Sequence, residues 1–482
     1  MSDKGPSSRR KDLDRAAIPT GWMQRGARLA GQTGKATLRF VGTRARSFAA
    51  PERAGEFVEG FHNKTAEQLV EMLGEMKGAA MKLGQLASFY EFSAPTDYLG
   101  TYKDALTMLQ NSAPPMDPEL SRRVIEGEFG RPVPEVFDDF EDDAIASASI
   151  GQVHRARLKT GEQVAVKVQY PGVDDAVRSD LKNVTAMTKL AVAIAPNLDP
   201  SEVAREIRDR VLEELDYERE TRNQARFASI FEDHPYIVIP AVYPDFCRTR
   251  VITQEYIEGE PFLSAFDWEP EARDRLGEIL FRFFYGGFNR FGIFSADPHP
   301  GNYKLLPDGR VAFLDFGLVR EVETRIVRQM IEIILSLIAH DRERARRALE
   351  ALNVLKRTTP DIGDLWEHLQ MINMPVLEDR PFQFDAVLVQ KIAAAGFDPR
   401  SQAFQTLRKL GVPGVFITFN RMSFGLASLL GRLEAMANWQ AMGREMWFGE
   451  PSLTEIGKEE QEWLARVHPE HAPILDRREV DR

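Results

Sequence analysis

A chain of 482 residues is long enough to form roughly three domains with a large buried core. Its hydrophobic fraction of 43%, its charged fraction of 28%, its 34 glycines and its 28 prolines exclude a collagen-like or low-complexity protein. A single cysteine, Cys247, excludes an intrachain disulfide and any multi-cysteine metal or cluster site, and the net charge of −11 argues against nucleic acid as a partner.

The first 50 residues are strongly basic, although the chain as a whole is acidic. They contain eleven lysines and arginines against three aspartates, a net charge of +8 that leaves −19 for the remainder. Apolar residues are interleaved with these charges, a composition typical of a segment that contacts anionic lipid. We therefore expect residues 1–64 to be a basic, partly disordered head in which residues 1–50 contact a membrane peripherally, with a solvated tail as the alternative.

The pattern of apolar residues predicts neither a membrane span nor a secretory signal. No run of about 18 uncharged apolar residues is present, and the N-terminus lacks the apolar core of a signal peptide. An organellar transit peptide is an alternative for the basic head, although Asp3, Asp12 and Asp14 disfavour it. We expect a cytoplasmic protein with peripheral membrane contact.

Residues 65–115 form a predicted N-terminal helical extension. Apolar residues recur at alternating spacings of four and three, which is the stripe of an amphipathic helix, namely Leu69, Leu73, Met76, Ala80, Leu83, Ala87 and Tyr90. The turn-rich stretch from Asn111 to Pro118 ends this extension.

Residues 116–258 are predicted to form a small sheet with helices packed on it. A short helix over Pro118–Phe129 precedes two β-branched, alternating strands, Ile145–Leu158 and Gln163–Gln169, joined by a turn at Lys159–Glu162. Further helices are predicted over Asp174–Ala195 and Ser201–Phe231, and further strands over Tyr236–Pro240 and Arg250–Tyr256.

Residues 259–355 and 356–482 are predicted to be mainly helical. A helix over residues 271–292 is followed by a loop, Ser295–Asn302, and a hairpin of Tyr303–Leu306 with Val311–Leu314. The C-terminal region 356–482 reads as helices with polar loops and carries no motif. The order of helices, sheet and helices predicts the α+β class.

Three short segments fit phosphoryl transfer from a nucleotide. Val164-Ala-Val-Lys167 is an apolar strand that holds a lysine where a kinase pairs a lysine with the nucleotide phosphates. Asp297 precedes Asn302 by five positions, the spacing of the aspartate and the metal-binding asparagine in a kinase catalytic loop. Asp315-Phe-Gly317 matches the element that binds Mg²⁺. Together they predict a kinase-like nucleotide site.

The segment Ala146-Ser-Ala-Ser-Ile-Gly-Gln-Val-His154 replaces the glycine-rich loop of a protein kinase and contains one glycine. Alanine and serine are small enough for a close approach to phosphate but lack the backbone freedom of glycine. We therefore expect the nucleotide to be held differently from the way a protein kinase holds it.

These motifs resemble those of the UbiB (AarF-type) atypical protein-kinase-like family. The matching segments are Lys82-Leu-Gly-Gln85 for its KxGQ motif, Ala146–His154 for its alanine-rich loop, Glu214–Glu220 for its ExD element, Asp297–Asn302 and Asp315–Gly317. The resemblance extends from about residue 67 to about residue 341. Ser147 stands where the family often has an alanine, which leaves the preference between ATP and ADP open.

The resemblance implies a two-lobed protein-kinase-like fold that binds ATP or ADP with Mg²⁺, with a KxGQ helical extension before it and a helical addition after it. The KxGQ helix would cover the active site, and Lys82 would meet the ExD carboxylates. The expected site residues are Asp297, Lys167, Lys82 and Gln85 for catalysis; Ala146, Ser147, Ala148, Ser149, Lys167, Glu255 and Ile257 for nucleotide binding; Glu214, Asp216 and Glu220 for ion pairing; and Asn302 and Asp315 for the metal.

The acidic element has a geometric difficulty. At 100° per residue, Asp216 and Glu220 share one face of a helix, whereas Glu214 lies about 160° from Asp216. Either the helix ends or bends there, or the two residues serve different partners. We predict that Glu220 pairs with Lys167, and that Glu214 and Asp216 meet Lys82 or metal.

Several polar residues also have simpler interpretations. Lys82 is compatible with a solvated helix lysine, and residues 213–220 with a solvated acidic face. We expect His154 to be a satisfied core histidine, His299 a loop residue and Cys247 inert.

The expected function is an ATPase or a phosphotransferase acting on a small molecule or lipid. The resemblance points to isoprenoid quinone or lipid metabolism, with a lipid or quinone intermediate as a partner. A nucleotide-sensing scaffold is the alternative, because Ser295-Ala296 stands where many kinases have His-Arg. A Ser/Thr protein kinase ranks lowest, because the KxGQ helix would occlude a peptide.

Overall fold

The computed structural model describes residues 117–148, 150–175, 212–213, 215–355, 362–397 and 414–476. The predicted head, the KxGQ extension with Lys82 and Gln85, and the site candidates Ser149 and Glu214 lie outside these residues. The chain divides into two compact units. The first comprises the described residues up to Arg222 together with Val242–Tyr256, and the second comprises Asn223–Ala241 and the described residues from Ile257 onward. The predicted domain boundaries stay predictions.

The described strands are short and their bounds follow in chain order. They are β1 (Asp139–Ala148), β2 (Gly151–Arg157), β3 (Gln163–Gln169), β4 (Ile237–Val238), β5 (Val251–Glu255), β6 (Glu260–Pro261), β7 (Ile293–Ser295), β8 (Tyr303–Leu305), β9 (Val311–Phe313), β10 (Val319–Glu321), β11 (Phe382–Gln383) and β12 (Met436–Ala437).

The described α-helices lie mostly in the second half of the chain. They are α1 (Pro118–Phe129), α2 (Val133–Val136), α3 (Tyr217–Ile230), α4 (Pro270–Phe281), α5 (Gly287–Phe291), α6 (Thr324–Ile338), α7 (Arg342–Ala351), α8 (Gly363–Ile372), α9 (Ala386–Phe397), α10 (Gly414–Leu433), α11 (Trp439–Phe448) and α12 (Glu455–Val467). Among the described residues, no helix has the length and apolar character needed to cross a membrane.

The first unit is built on an antiparallel sheet with the strand order β1-β2-β3-β5. β2 and β3 form the predicted hairpin, in which Gly161 takes the positive φ of 104° that the turn requires. The prediction of a single strand over Ile145–Leu158 is wrong, because β1 ends at Ala148 and β2 begins at Gly151. β1 lies at the sheet edge and is exposed over most of its length, so its sequence lacks a clear apolar alternation.

Helix α1 packs on this sheet as the sequence predicts. Asp117 caps its N-terminus by accepting a hydrogen bond from Glu119 N, Pro118 fits the first turn, and Gly130 ends the helix with a φ of 70°. The buried residues of the helix and sheet form one apolar cluster that includes Val124, Ile125, Phe137, Val164, Val166, Val168 and Val251. This core holds β3 rigidly on its buried side.

The second unit contains a second small sheet with the order β4-β9-β8-β6. The sequence assigned Tyr236–Pro240 to the first sheet, and this is wrong: β4 pairs in parallel with β9, Ile237 opposite Val311. A two-residue strand is apolar in either environment, so its composition does not specify its partner. The predicted hairpin of Tyr303 and Val311 is confirmed as β8 and β9.

The long predicted helix over residues 271–292 is confirmed, with one irregular turn. α4 continues through a π-helical turn, Arg282–Gly286, into α5. The buried Arg282 pairs with Glu278, with Glu445 of α11 at 2.7 Å and with Glu460 of α12 at 2.6 Å. These pairs fasten the C-terminal helices to the centre of the second unit, because an unpaired buried charge would be very costly.

Candidate active site

Lys167 of β3 forms the ion pair that the sequence predicts. Its Nζ lies 2.7 Å from Oε1 of Glu220, and the two side chains are 18% and 6% exposed. The ammonium group also lies 5.1 Å above the ring of Tyr217. A lysine held by a buried carboxylate and an aromatic face has a fixed position, which suits it to bind an anionic group.

Glu220 reaches Lys167 because the acidic segment is broken before the helix begins. Leu215 lies in a turn and Asp216 is not helical, so α3 starts at Tyr217. Asp216 is exposed and its Oδ1 accepts a hydrogen bond from Arg219 N, which caps the helix. Gln169 Nε2 donates to the Leu215 carbonyl oxygen at 2.8 Å and ties this segment to β3. The helical segment before Leu215 therefore ends before α3 begins, which is the first of the two alternatives stated from the sequence.

The alanine-rich segment forms the tip of the β1-β2 hairpin. Ala146 and Ser147 are exposed, and Ala148 is half-buried opposite Gly151. A Cβ atom at Gly151 would lie 2.3 Å from the Val168 carbonyl oxygen, so the single glycine is required for the close approach of β2 to β3. The glycine therefore has a packing role, and Ala146 and Ser147 lie exposed beside it.

Glu255 and Ile257, the other expected nucleotide contacts, flank the end of β5. Glu255 pairs in register with Val164 and is half-buried, as is Ile257. Tyr256 N donates to the Gln163 carbonyl oxygen at 3.0 Å, which extends the strand pairing by one residue.

The second unit brings Asp297, Asn302 and Asp315 into one cluster. β7 pairs with β10, and Ala296 N donates to the Leu318 carbonyl oxygen at 2.8 Å. Leu314 N donates to the Asn302 carbonyl oxygen at 2.9 Å, so the loop Ser295–Asn302 and the Asp-Phe-Gly segment run side by side. Within the loop, Asn302 Nδ2 donates to the Asp297 carbonyl oxygen at 3.1 Å. The backbone thus fixes three oxygen-bearing side chains near one another.

The Asp-Phe-Gly segment is anchored by its phenylalanine. Phe316 is buried and lies 4.9 Å from the ring of Phe227, and Asn223 Nδ2 donates to its carbonyl oxygen at 2.9 Å. Oδ1 of Asp315 accepts a hydrogen bond from Gly317 N at 3.0 Å. The half-buried carboxylate of Asp315 is therefore oriented by its own turn.

The pKa of the Tyr303 hydroxyl is affected by the carboxylates of this cluster. Burial, together with the negative charges of Asp297 and Asp315, raises the pKa of its hydroxyl well above its usual range. Both carboxylates therefore act electrostatically on one buried side chain, which agrees with the backbone pairing.

One residue of this cluster has no precedent in the sequence motifs. Arg421 of α10 places Nη2 2.7 Å from Oδ1 of Asp297, and its side chain is 6% exposed. Residues 356–482 carry no short motif, so the sequence pattern does not identify this arginine. The available signal was an arginine in the middle of a mostly apolar helix, since a buried arginine requires a partner.

The donor set fits Mg²⁺ bound together with a nucleotide. Asp315 and Asn302 offer carboxylate and amide oxygens, the hard ligands that Mg²⁺ prefers. Within the described ranges, no residue donates a hydrogen bond to Oδ1 of Asn302, and no group of three or more His, Cys, Asp or Glu could hold a metal alone. Mg²⁺ usually takes one or two protein ligands and completes its shell with phosphate and water.

His154, His299 and Cys247 have structural positions. His154 is fully buried with hydrogen bonds at both ring nitrogens, and His299 lies in the catalytic loop, where its ring accepts a hydrogen bond from Gly301 N. Burial raises the pKa of the Cys247 thiol, which disfavours the reactive thiolate. The simpler interpretations of these three residues are therefore supported.

Comparisons with known proteins agree with this geometry. Residues 108–349 match the family described as the ABC1 atypical kinase-like domain. The Arabidopsis thaliana protein ACTIVITY OF BC1 COMPLEX KINASE 8, chloroplastic, is 32% identical over 310 residues, which are 62% of this chain and 39% of that protein. The rat (Rattus norvegicus) atypical kinase COQ8B, mitochondrial, is 30% identical over 291 residues, which are 60% of this chain and 54% of that protein. The chain therefore spans well under two thirds of the length of these relatives.

A solved structure extends the similarity to the fold. Rv3197 from Mycobacterium tuberculosis, determined in a complex with erythromycin, aligns with a TM-score of 0.58 and 31% identity over 83% of this chain and 100% of that chain. The family match covers half of the chain and contains Lys167, Glu220, Asp297, Asn302 and Asp315. The chain thus belongs to the ABC1 atypical kinase-like family, which confirms the resemblance to UbiB (AarF-type) proteins and the α+β, kinase-like fold class.

Proposed function

We propose that this protein binds ATP or ADP with Mg²⁺ and acts as an ATPase or as a phosphotransferase on a small molecule or lipid. The observation that carries the proposal is the cluster of Asp297, Asn302 and Asp315, fixed by the Leu314–Asn302 backbone bond in a chain of an atypical kinase family. The pair of Lys167 with Glu220 supports it independently, because it supplies the oriented cation that such a site uses.

Each side chain has a defined task in the proposed reaction. In the first unit, Lys167, positioned by Glu220, would bind the nucleotide phosphates. In the second unit, Asn302 and Asp315 would hold Mg²⁺, which would neutralise phosphate charge. Asp297 orients the attacking hydroxyl or water. The attacking oxygen forms a bond to the γ-phosphorus as the bond to the bridging oxygen of ADP breaks, and the proton of the nucleophile passes to the Asp297 carboxylate.

The proposed substrate class follows from the family resemblance rather than from a binding pocket. The resemblance favours an isoprenoid quinone or lipid intermediate over a protein substrate. We extend the proposal to the basic residues 1–50, which would bring the protein to anionic membranes that hold such substrates.

Nucleotide binding and turnover can be measured with one matched pair of variants. Titration calorimetry with ADP and Mg²⁺, and release of phosphate from ATP, should show binding and turnover for the wild type and loss of both for Asp315→Asn. Asp308→Asn is the control, because Asp308 is an exposed turn residue of the same unit that contacts Arg310. Equal binding and turnover by wild type and Asp315→Asn would contradict the proposal, whereas binding without turnover in all proteins would support a nucleotide-sensing scaffold.

The substrate class requires an experiment in cells. Quinone and lipid pools should change when the protein is removed, and Asp315→Asn should not restore them, whereas Asp308→Asn should. Unchanged pools would remove the quinone and lipid assignment without touching nucleotide binding.

The membrane part of the proposal has a separate test. Flotation with vesicles containing anionic phosphatidylserine should retain the full chain, and deletion of residues 1–50 should weaken retention. Vesicles of neutral phosphatidylcholine are the control, and equal retention of both proteins would contradict membrane contact through the head.

A further inference from the structure

The C-terminal helical region supplies a cation to the catalytic loop. Nη2 of Arg421 lies 2.7 Å from Oδ1 of Asp297, with side-chain exposures of 6% and 17%. A charge-assisted hydrogen bond between largely buried groups is short, directional and poorly screened by salt. Asp297 is therefore held from a helix more than a hundred residues away in the chain.

Residues on either side of Arg421 fix the position of helix α10. Gly425 lies one helical turn after Arg421 on the same face, and its lack of a Cβ lets the helix approach Pro298 of the catalytic loop. Phe419 packs against Phe288 with a ring separation of 4.5 Å. These contacts place the helix against the loop independently of the ion pair.

The loop supplies no lysine or arginine of its own. From Ser295 to Asn302 the sequence is Ser-Ala-Asp-Pro-His-Pro-Gly-Asn, and its backbone is turned by Pro298 and Pro300. The carboxylate of Asp297 rotates about two side-chain bonds unless a partner fixes it. Arg421 is such a partner.

We propose that Arg421 is a positioning residue for the reaction: its guanidinium holds the Asp297 carboxylate in the orientation that accepts the proton of the nucleophile. The inference rests on the proposed function, since it concerns the same reaction. It assigns a role to the helical addition, which the family motifs leave without one. Arg421 acts through Asp297 and is not itself assigned to the reacting atoms.

Kinetics of single and double variants test this inference. Arg421→Met should lower kcat about 10- to 100-fold with little change in KM for ATP, because a misplaced catalytic group affects the chemical step more than binding. Arg421→Lys keeps the charge but not the planar guanidinium group, so its kcat should fall less than that of Arg421→Met. In the Asp297→Asn background, Arg421→Met should change kcat by less than about twofold. Arg432→Met is the control, because Arg432 lies on the same helix and covers Phe266.

Hydrogen exchange gives a second readout that does not depend on turnover. The peptide covering residues 297–302 should exchange faster in Arg421→Met and Arg421→Lys than in the wild type or Arg432→Met. If Arg421→Met does not fold, Arg421→Lys carries both measurements.

The outcomes separate this inference from the proposed function. An inactive wild type would remove the proposed function, and loop exchange would still decide whether Arg421 holds Asp297. An active wild type with a damaged Asp297→Asn and a fully active Arg421→Met would overturn the positioning role. Additive losses in the double variant would overturn it too, because they would mean that Arg421 acts independently of Asp297.

Discussion

Gly425 and Pro298 are in such close contact that a Cβ atom on the glycine would lie 2.4 Å from Cγ of the proline. Neither group can move aside easily, because one is part of a helix and the other is a ring in a loop. The contact therefore transmits the position of α10 directly to the residue after Asp297.

Gly425→Ala should reduce activity despite the better helix propensity of alanine. Alanine favours a helix interior by about 1 kcal/mol over glycine, but overpacking against the proline costs about 1 to 3 kcal/mol. We expect a lower or unchanged free energy of unfolding in urea and a clear fall in kcat. Gly286→Ala is the control, since its Cβ would meet no atom closer than 3.7 Å. Equal activity of the two variants would contradict the role of this contact.

The pair of Lys167 with Glu220 should be energetically coupled. Removing either partner leaves a charge in a largely buried position, so Lys167→Met and Glu220→Gln should interact by about 1 to 3 kcal/mol in a double-mutant cycle of unfolding free energies. Arg157→Met, which breaks the exposed pair with Asp138 at the end of β2, should cost less than about 1 kcal/mol. A coupling energy near zero would mean that the two groups are hydrated rather than paired.

The sequence predicted the parts of the site that lie in short motifs. Lys167, Asp297, Asn302 and Asp315 each belong to a local pattern in which residue type and spacing report the chemistry. The pairing of Glu220 with Lys167 was also predicted, and the distance of 2.7 Å confirms it.

The missing part, Arg421, depends on contacts made over 124 positions of sequence. No local spacing connects an arginine in an apolar helix with a distant loop aspartate. The assignment of β4 failed for a related reason, since its partner β9 is chosen by the fold of the second unit and not by the two residues of the strand. The pattern of a single sequence does not tell which residues far apart in the chain become partners in the fold.

Gly151→Ala should destabilise the first unit. The added Cβ would lie 2.3 Å from the Val168 carbonyl oxygen, so β2 and β3 must separate locally. Overpacking of this kind costs about 1 to 3 kcal/mol, which urea unfolding followed by circular dichroism would detect. An unchanged midpoint would show that the hairpin relaxes freely, and would remove the packing explanation for this glycine.

His154 gives the first unit a pH-dependent stability. Nδ1 contacts the Glu141 carbonyl oxygen, which only accepts, so the ring proton is on Nδ1. Nε2 then accepts a hydrogen bond from Ser121 Oγ at 3.0 Å, and Ser121 Oγ in turn accepts one from Gln152 Nε2 at 3.0 Å. Burial lowers the pKa of His154 from 6.5, because protonation of Nε2 would place a charge on a buried ring.

The sign of the effect follows from the depressed pKa in the folded state. The unfolded chain binds a proton below pH 6.5 and the folded chain does so only at lower pH, so stability is full above 6.5 and is lost as the pH falls below it. The slope that one histidine contributes is at most about 1.4 kcal/mol per pH unit. We expect the free energy of unfolding in urea to fall between neutral and mildly acidic pH, and to fall less steeply in His154→Gln. His340→Asn, at an exposed helix end, is the control, and parallel pH profiles for all three proteins would contradict the assignment.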